Sequence, residues 1–283
     1  MKKNSTPNSA FSLVELSIVI LIIGVLVAGI LQGRSIAAKA KLSAAQMQTA
    51  QSPVLEIENL IAWWETTSER SFSLAEAVNN AAVSSWHDIN SKSLVAINMT
   101  QSNSSYKPIY KTNVMNGLPM LQFSGGTNYF NIADGTVPYG DKNYTIFIVA
   151  KFGSCSSTCN ILASGAASSS NLNSFQYTTS LVKNNWNASA LSATAQVSSP
   201  HIYDFIYSNA SGRKIFIDGT QTASDSSSGR TSTNTSNYLG STSPATGIDG
   251  YIGEVIIFDR NLKNEERKTV EKYLSRKWGV SVI

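Results

Sequence analysis

The sequence predicts a long N-terminal helix, then an all-β sandwich, then a short C-terminal helix. Three observations carry this reading. Phe11 to Leu31 is an apolar run whose one charged residue is Glu15. From residue 60 onward, short apolar runs, mostly of period two, are separated by clusters of Gly, Asn and Ser. Asn264 to Trp278 returns to helical periodicity.

The first ten residues carry Lys2 and Lys3 and no acid, which suits a cytoplasmic flank. The apolar run that follows is about 30 Å long at the helical rise, enough to cross a bilayer core. A carboxylate inside such a run is costly, so Glu15 is expected to have a partner and a role. Arg34 to Ser52 is rich in strong helix formers and extends the helix. Ile36, Ala40, Met47 and Ala50 fall near one face of it, and this weak stripe suits packing against other helices and against the following domain. Pro53 is expected to break or kink the rod.

The strand candidates follow in order: Leu60 to Trp64, Leu118 to Phe123, Tyr144 to Phe152, His201 to Ser208, Arg213 to Gly219 and Tyr251 to Asp259. Ser71 to Ala82 reads as a short helix or a loop. In Tyr144 to Ala150 the apolar residues are nearly continuous, which predicts a central strand covered on both faces. Asp218-Gly219 is a hairpin-turn signal. In the last segment Glu265 and Glu266 open the helix, and Arg276 and Lys277 close it, both favourable to the helix dipole. Val270, Leu274 and Trp278 form its buried stripe, and Gly279 is its C-terminal cap.

Formal charge is +4 over 283 residues and falls to +2 without Lys2 and Lys3, so no nucleic-acid partner is expected. The two histidines, His87 and His201, form no zinc motif, and no Ser or Cys is framed as a nucleophile. Glycoside hydrolysis needs two carboxylates on one face; Glu254 is a single strand acid and reads as structural, bonded to a Trp, an Arg or the C-terminal helix. The chain is therefore expected not to be an enzyme and to need no cofactor. Loop acids Asp134, Asp141, Asp218, Asp225 and Asp249 are candidates by type for Ca²⁺, without EF-hand spacing. Cys155 and Cys159, the only cysteines, are expected to form a disulfide in an exported head. Trp186, within Lys183 to Asn187, stands in an Asn-rich stretch with Asn184 and Asn185. It is either an aromatic platform for a carbohydrate or a cap on the core from a strand end.

The N-terminal 35 residues resemble the class III signal of type IV pilins and of type II secretion pseudopilins. The resemblance implies cleavage between Ala10 and Phe11 by a prepilin peptidase and N-methylation of Phe11. Glu15 then takes the family's fifth-position role, neutralising the terminal amine of a neighbouring subunit in a filament. Ala10 stands where the family prefers Gly, and the helix-kinking Pro of major pilins is absent, which is more similar to pseudopilins and minor pilins. An ordinary signal-anchor, or a signal peptide cut after Gly29, are the other readings of the run.

Asn59 to Val280 resembles the concanavalin A-like, laminin-G-like jelly roll. Gly250, Gly253, Glu254, Val255, Asp259, Leu262, Glu266, Tyr273, Leu274, Lys277, Trp278 and Gly279 match a C-terminal signature of such domains in bacterial surface proteins. Together the two resemblances imply a leader (1–10), a transmembrane and pilin-type helix (11–53) and a jelly-roll head (54–283). The implied protein sits in the bacterial inner membrane by a single pass, with its head in the periplasm or on an extracellular filament. Its implied partners are other pilin or pseudopilin subunits and a glycan or surface-protein ligand, giving adhesion or substrate recognition. A purely structural filament coat and a glycan-cleaving enzyme are the alternatives.

Overall fold

A computed structural model of the chain describes residues 13–155, 157–165, 172–186, 189–241 and 247–283. The leader with Ala10 and Phe11, and Asn187 beside Trp186, lie outside the described residues.

Helix α1 (Leu13–Ala50) runs unbroken through Gly24, Gly29 and Gly33. Pro53 ends it as expected, opening a 3-10 turn at Pro53–Glu56. Among the described residues sixteen strands follow: β1 (Leu60–Glu65), β2 (Ser85–Trp86), β3 (Met99–Thr100), β4 (Ile109–Met115), β5 (Leu118–Phe123), β6 (Phe130–Ile132), β7 (Tyr144–Phe152), β8 (Cys159–Ser164), β9 (Asn173–Tyr177), β10 (Leu181–Asn185), β11 (Ala190–Thr194), β12 (His201–Ser208), β13 (Gly212–Ile217), β14 (Thr220–Ser224), β15 (Asn237–Leu239) and β16 (Gly250–Phe258). Helix α2 (Asn264–Trp278) completes the chain, capped by Gly279 at φ 70°. Ser71 to Ala82 forms turns, the loop alternative of the sequence reading.

The strands form two antiparallel sheets packed as a sandwich. The first runs β14-β13-β12-β7-β16-β5-β4, with β1 also on β16; the second runs β11-β10-β9-β8-β15-β6-β3-β2. Between them lies the main core, including Trp64, Trp86, Phe123, Phe130, Phe175 and Tyr203. A second apolar layer covers the outer face of the first sheet, where Trp63, Phe147, Ile256 and Phe258 meet Leu274 and Trp278 of α2. This explains the continuous run in β7. Ile146, Ile148 and Ala150 face the second sheet, while Phe147 and Val149 face the helices. Two hairpins turn on left-handed pairs: Asp218-Gly219 (φ 51° and 81°), as expected, and Asn116-Gly117 (φ 50° and 77°) between β4 and β5.

Only the last turns of α1 touch the sandwich. Ala45 and Thr49 are buried there, and Gln46 Nε2 donates to the Thr67 carbonyl at 3.0 Å. The face expected from Ile36, Ala40, Met47 and Ala50 is not the one that docks. All four are exposed, because the head selects small and polar residues that let α1 lie close to β5 and α2.

Candidate functional site

Two parts of the molecule carry groups whose placement exceeds what a soluble sandwich needs. The first is α1. From Leu13 to Ile30 its large apolar side chains are at least half exposed around the whole circumference. It is the one described helix long and apolar enough to cross a membrane. Glu15 lies in its first turn, where a carboxylate also favours the helix dipole, and is the single acid of that stretch.

The second is the joint between α1 and the head. Lys277 of α2 is buried, and its Nζ donates to Glu65 Oε2 at 2.6 Å and Thr49 Oγ1 at 2.8 Å. The same ammonium lies 3.0 Å from Glu254 Oε2. Glu65 and Glu254 are cross-strand partners on β1 and β16, so both carboxylates lie on the face that α2 covers. Glu254 also accepts from Trp63 Nε1 at 2.7 Å, Tyr273 Oη at 2.7 Å and Trp278 Nε1 at 2.8 Å. Burial alone would raise the Glu65 carboxyl; the Lys277 charge and hydrogen bond, with Thr67, hold it below its ordinary value. Burial, with Glu254 and Glu65 beside it, pushes the Tyr273 phenol well up.

Glu254 is thus bonded to two tryptophans and to α2, as the sequence suggested. Its pairing with Glu65 was not foreseen. Two adjacent carboxylates invite a hydrolase reading, but these are sealed beneath α2 with a lysine between them. Without access for a sugar ring, they are a structural lock. Sequence offered one signal for it: Lys277 falls at the seventh position after Val270, inside the buried stripe.

Trp186 and Asn184 do not form an exposed platform. Trp186 is 7% exposed. Its Nε1 donates to Asn173 Oδ1 at 3.1 Å, and the Arg213 guanidinium stacks 4.0 Å from a ring centroid. Asn184 is buried between sheets, accepting from Tyr144 Oη at 2.8 Å and donating to Asn173 Oδ1 at 3.0 Å. The core-cap reading is the one realised. Arg213, on a strand distant in sequence, closes over the indole. Asn185, at the next position of β10, points outward and is half-buried.

The Cys155–Cys159 disulfide is formed and staples the turn after β7. Among the described residues no three His, Cys, Asp or Glu side chains converge as a metal site. Asp134, Asp141, Asp218 and Asp225 each accept hydrogen bonds from protein groups.

No family model and no curated protein matches the sequence. Solved structures match in fold. Domain 4 of a GH43 extracellular arabinanase from Geobacillus stearothermophilus, in complex with arabinotriose, superposes with a TM-score of 0.52 at 13% identity, covering 76% of this chain and 98% of that one. A Trypanosoma rangeli sialidase in complex with 2,3-difluoro-KDN gives 0.52 at 12% identity, covering 85% of this chain but 39% of the sialidase. These similarities are to β-sandwich domains of glycan-active proteins, and at such identity they establish the fold.

Proposed function

We propose that this chain is a pilin-like subunit, a minor pilin or pseudopilin. It is cleaved between Ala10 and Phe11, methylated at Phe11, held in the inner membrane by α1 and then assembled into a filament. The observation that carries the reading is α1 itself. It is apolar all round from Leu13 to Ile30, bears one acid, and stands clear of its head until the last turns. An ordinary signal-anchor needs neither Glu15 nor a second, water-exposed apolar stripe at Ile36 and Met47. A filament uses both: the stripe for neighbouring helices, Glu15 for the cationic terminus of the next subunit.

The sandwich is the displayed head. A domain of the same fold was solved with arabinotriose, and the adjacent Glu65 and Glu254 carboxylates are buried beneath α2. We read it as a lectin-like binding module rather than an enzyme. Intact mass and N-terminal sequencing of the protein from native membranes test the whole assignment. A mature chain starting at methylated Phe11, with Glu15→Val processed but failing to assemble, is the expected result. Retention of Met1, or a start after Gly29, would remove the pilin reading and leave an anchored or secreted head.

A further inference from the structure

The end of α1 and helix α2 leave an open cleft between them. Its volume is about 390 Å³, within the range of small-molecule sites, roughly 300–1,000 Å³. One wall is α2, through Thr269, Lys272 and Arg276, which are spaced by three and four residues and so share a face. The other wall is Gln48, in the last turn of α1, and Gln51, just after it. Gln51, Thr269, Lys272 and Arg276 are exposed, so these groups can be touched from solvent. Glu56 is the one acid of the lining.

The two cations of this cleft have no internal carboxylate. The ion pairs among the described residues engage other side chains, and Glu56 is not in contact with Lys272 or Arg276 as a salt bridge. Lys277, the neighbour of Arg276, shows the contrast: it is buried and neutralised by Glu65 and Glu254. Lys272 and Arg276 stand one helical turn apart, so a single anion can meet both. The bilayer is too distant to supply that anion. Gln48 lies ~27 Å beyond Ile30 at the helical rise. This is past a headgroup layer of about 5–8 Å and by more than two screening lengths at physiological salt.

The chemistry of the walls narrows the ligand. A guanidinium takes a carboxylate through two parallel hydrogen bonds, and an ammonium one turn away adds a point charge. The Gln51 carboxamide both donates and accepts, as sugar hydroxyls do. Thr269 Oγ1 donates to the Glu265 carbonyl at 2.7 Å, which leaves its lone pairs to accept from a ligand hydroxyl. A cleft with Glu56 as its one carboxylate can hold a glycan but cannot hydrolyse it by the two-carboxylate route. We infer that the cleft between the end of α1 and α2 is a binding site for an acidic saccharide. Lys272 and Arg276 hold its carboxylate, and Gln51 and Thr269 meet its hydroxyls. This rests on the lectin-like reading of the head.

The test titrates the full chain in detergent with digalacturonate, 3′-sialyllactose, lactose, triglutamate and acetate, and records the Tm of each variant without ligand. Wild type should bind at least one of the two acidic sugars, and more weakly as salt is raised. Lys272→Gln and Arg276→Gln should each weaken that binding about tenfold or more, the size of a lost charged hydrogen bond. Both variants should keep the Tm of wild type, since neither side chain is paired in the fold. Lys268→Gln, exposed on α2 but outside the cleft, should change neither binding nor Tm. Sugar binding that neither Lys272→Gln nor Arg276→Gln weakens would overturn this site and leave the lectin reading standing elsewhere, as would binding of lactose alone. Triglutamate or acetate bound as tightly as the acidic sugars would overturn the saccharide class, the first pointing to an acidic polypeptide and the second to an unselective anion site. Binding of none of the three sugars would overturn the lectin reading and this site with it.

Discussion

At the scale of single residues, the balance at Lys277 is the most exposed to experiment. One ammonium faces two carboxylates, and all three groups are buried. Replacing a buried ion pair whole is often harmless, but removing one partner strands the others. Lys277→Met leaves Glu65 and Glu254 opposed across adjacent strands with no cation. It should cost about 3–5 kcal/mol, read as a lower urea midpoint. Glu65→Gln should instead change the pH dependence. The folded carboxyl sits below its ordinary value, so the unfolded chain binds more protons in the acid range. The contribution is therefore full above the unfolded value of about 4.3 and is lost as pH falls through the folded one. Stability of wild type should fall more steeply below that pH than stability of the variant; equal slopes would contradict the lock. Little of this was visible in the sequence. Lys277 lies in the stripe with Val270 and Leu274, a local signal. Glu65 and Thr49 reach it from over two hundred residues away, and no window along the chain contains them together.

At the scale of elements, legibility followed length and local chemistry. Helix α2 was readable to its ends because its acids, bases and Gly279 are local. The strands β7, β12 and β16 were readable because their apolar runs are long. Strands β2, β3, β6 and β15 have two or three residues each, too short to show a period. The reading of Trp186 stayed open for a related reason. Its neighbours in sequence are polar, and the groups that enclose it, Arg213 and Tyr207, come from two other strands. The contact between β16 and α2 is tight at one point. A Cβ on Gly253 would lie 2.5 Å from the Trp278 ring, and that indole is held in place by Glu254. Gly253→Ala should therefore cost about 1–3 kcal/mol, as overpacking does in closed cores. Trp278→Phe in the same chain should recover part of that loss, giving a non-additive cycle. Fully additive losses would show that the ring is not what the new methyl meets.

At the scale of the molecule, the division between rod and head does not fall where the helix ends. Sequence places it at Pro53, the residue that breaks α1. Packing places it earlier, because Ala45, Thr49 and Ser52 are buried against the head while Leu13 to Ile30 and Ser35 to Lys41 are exposed. Thr49 links the rod to Lys277, and through it to β1 and β16. The last turns of α1 therefore serve as part of the head's core, and the rod is fixed in direction by a network that water does not reach. In the proposed filament, any force along the rod would pass through this joint. Two truncations separate the roles. A chain beginning at Ser35 keeps the joint and loses the apolar span. It should be soluble without detergent, with the Tm of the full protein. A chain beginning at Val54 keeps the predicted head but loses Thr49 and Ser52, and leaves the Lys277 cluster open to solvent on one side. Its Tm should fall by about 5–10 °C, as expected for a few kcal/mol in a domain of this size. Equal melting of the two chains would mean that the joint adds nothing to the head, and that α1 is attached to it by sequence alone.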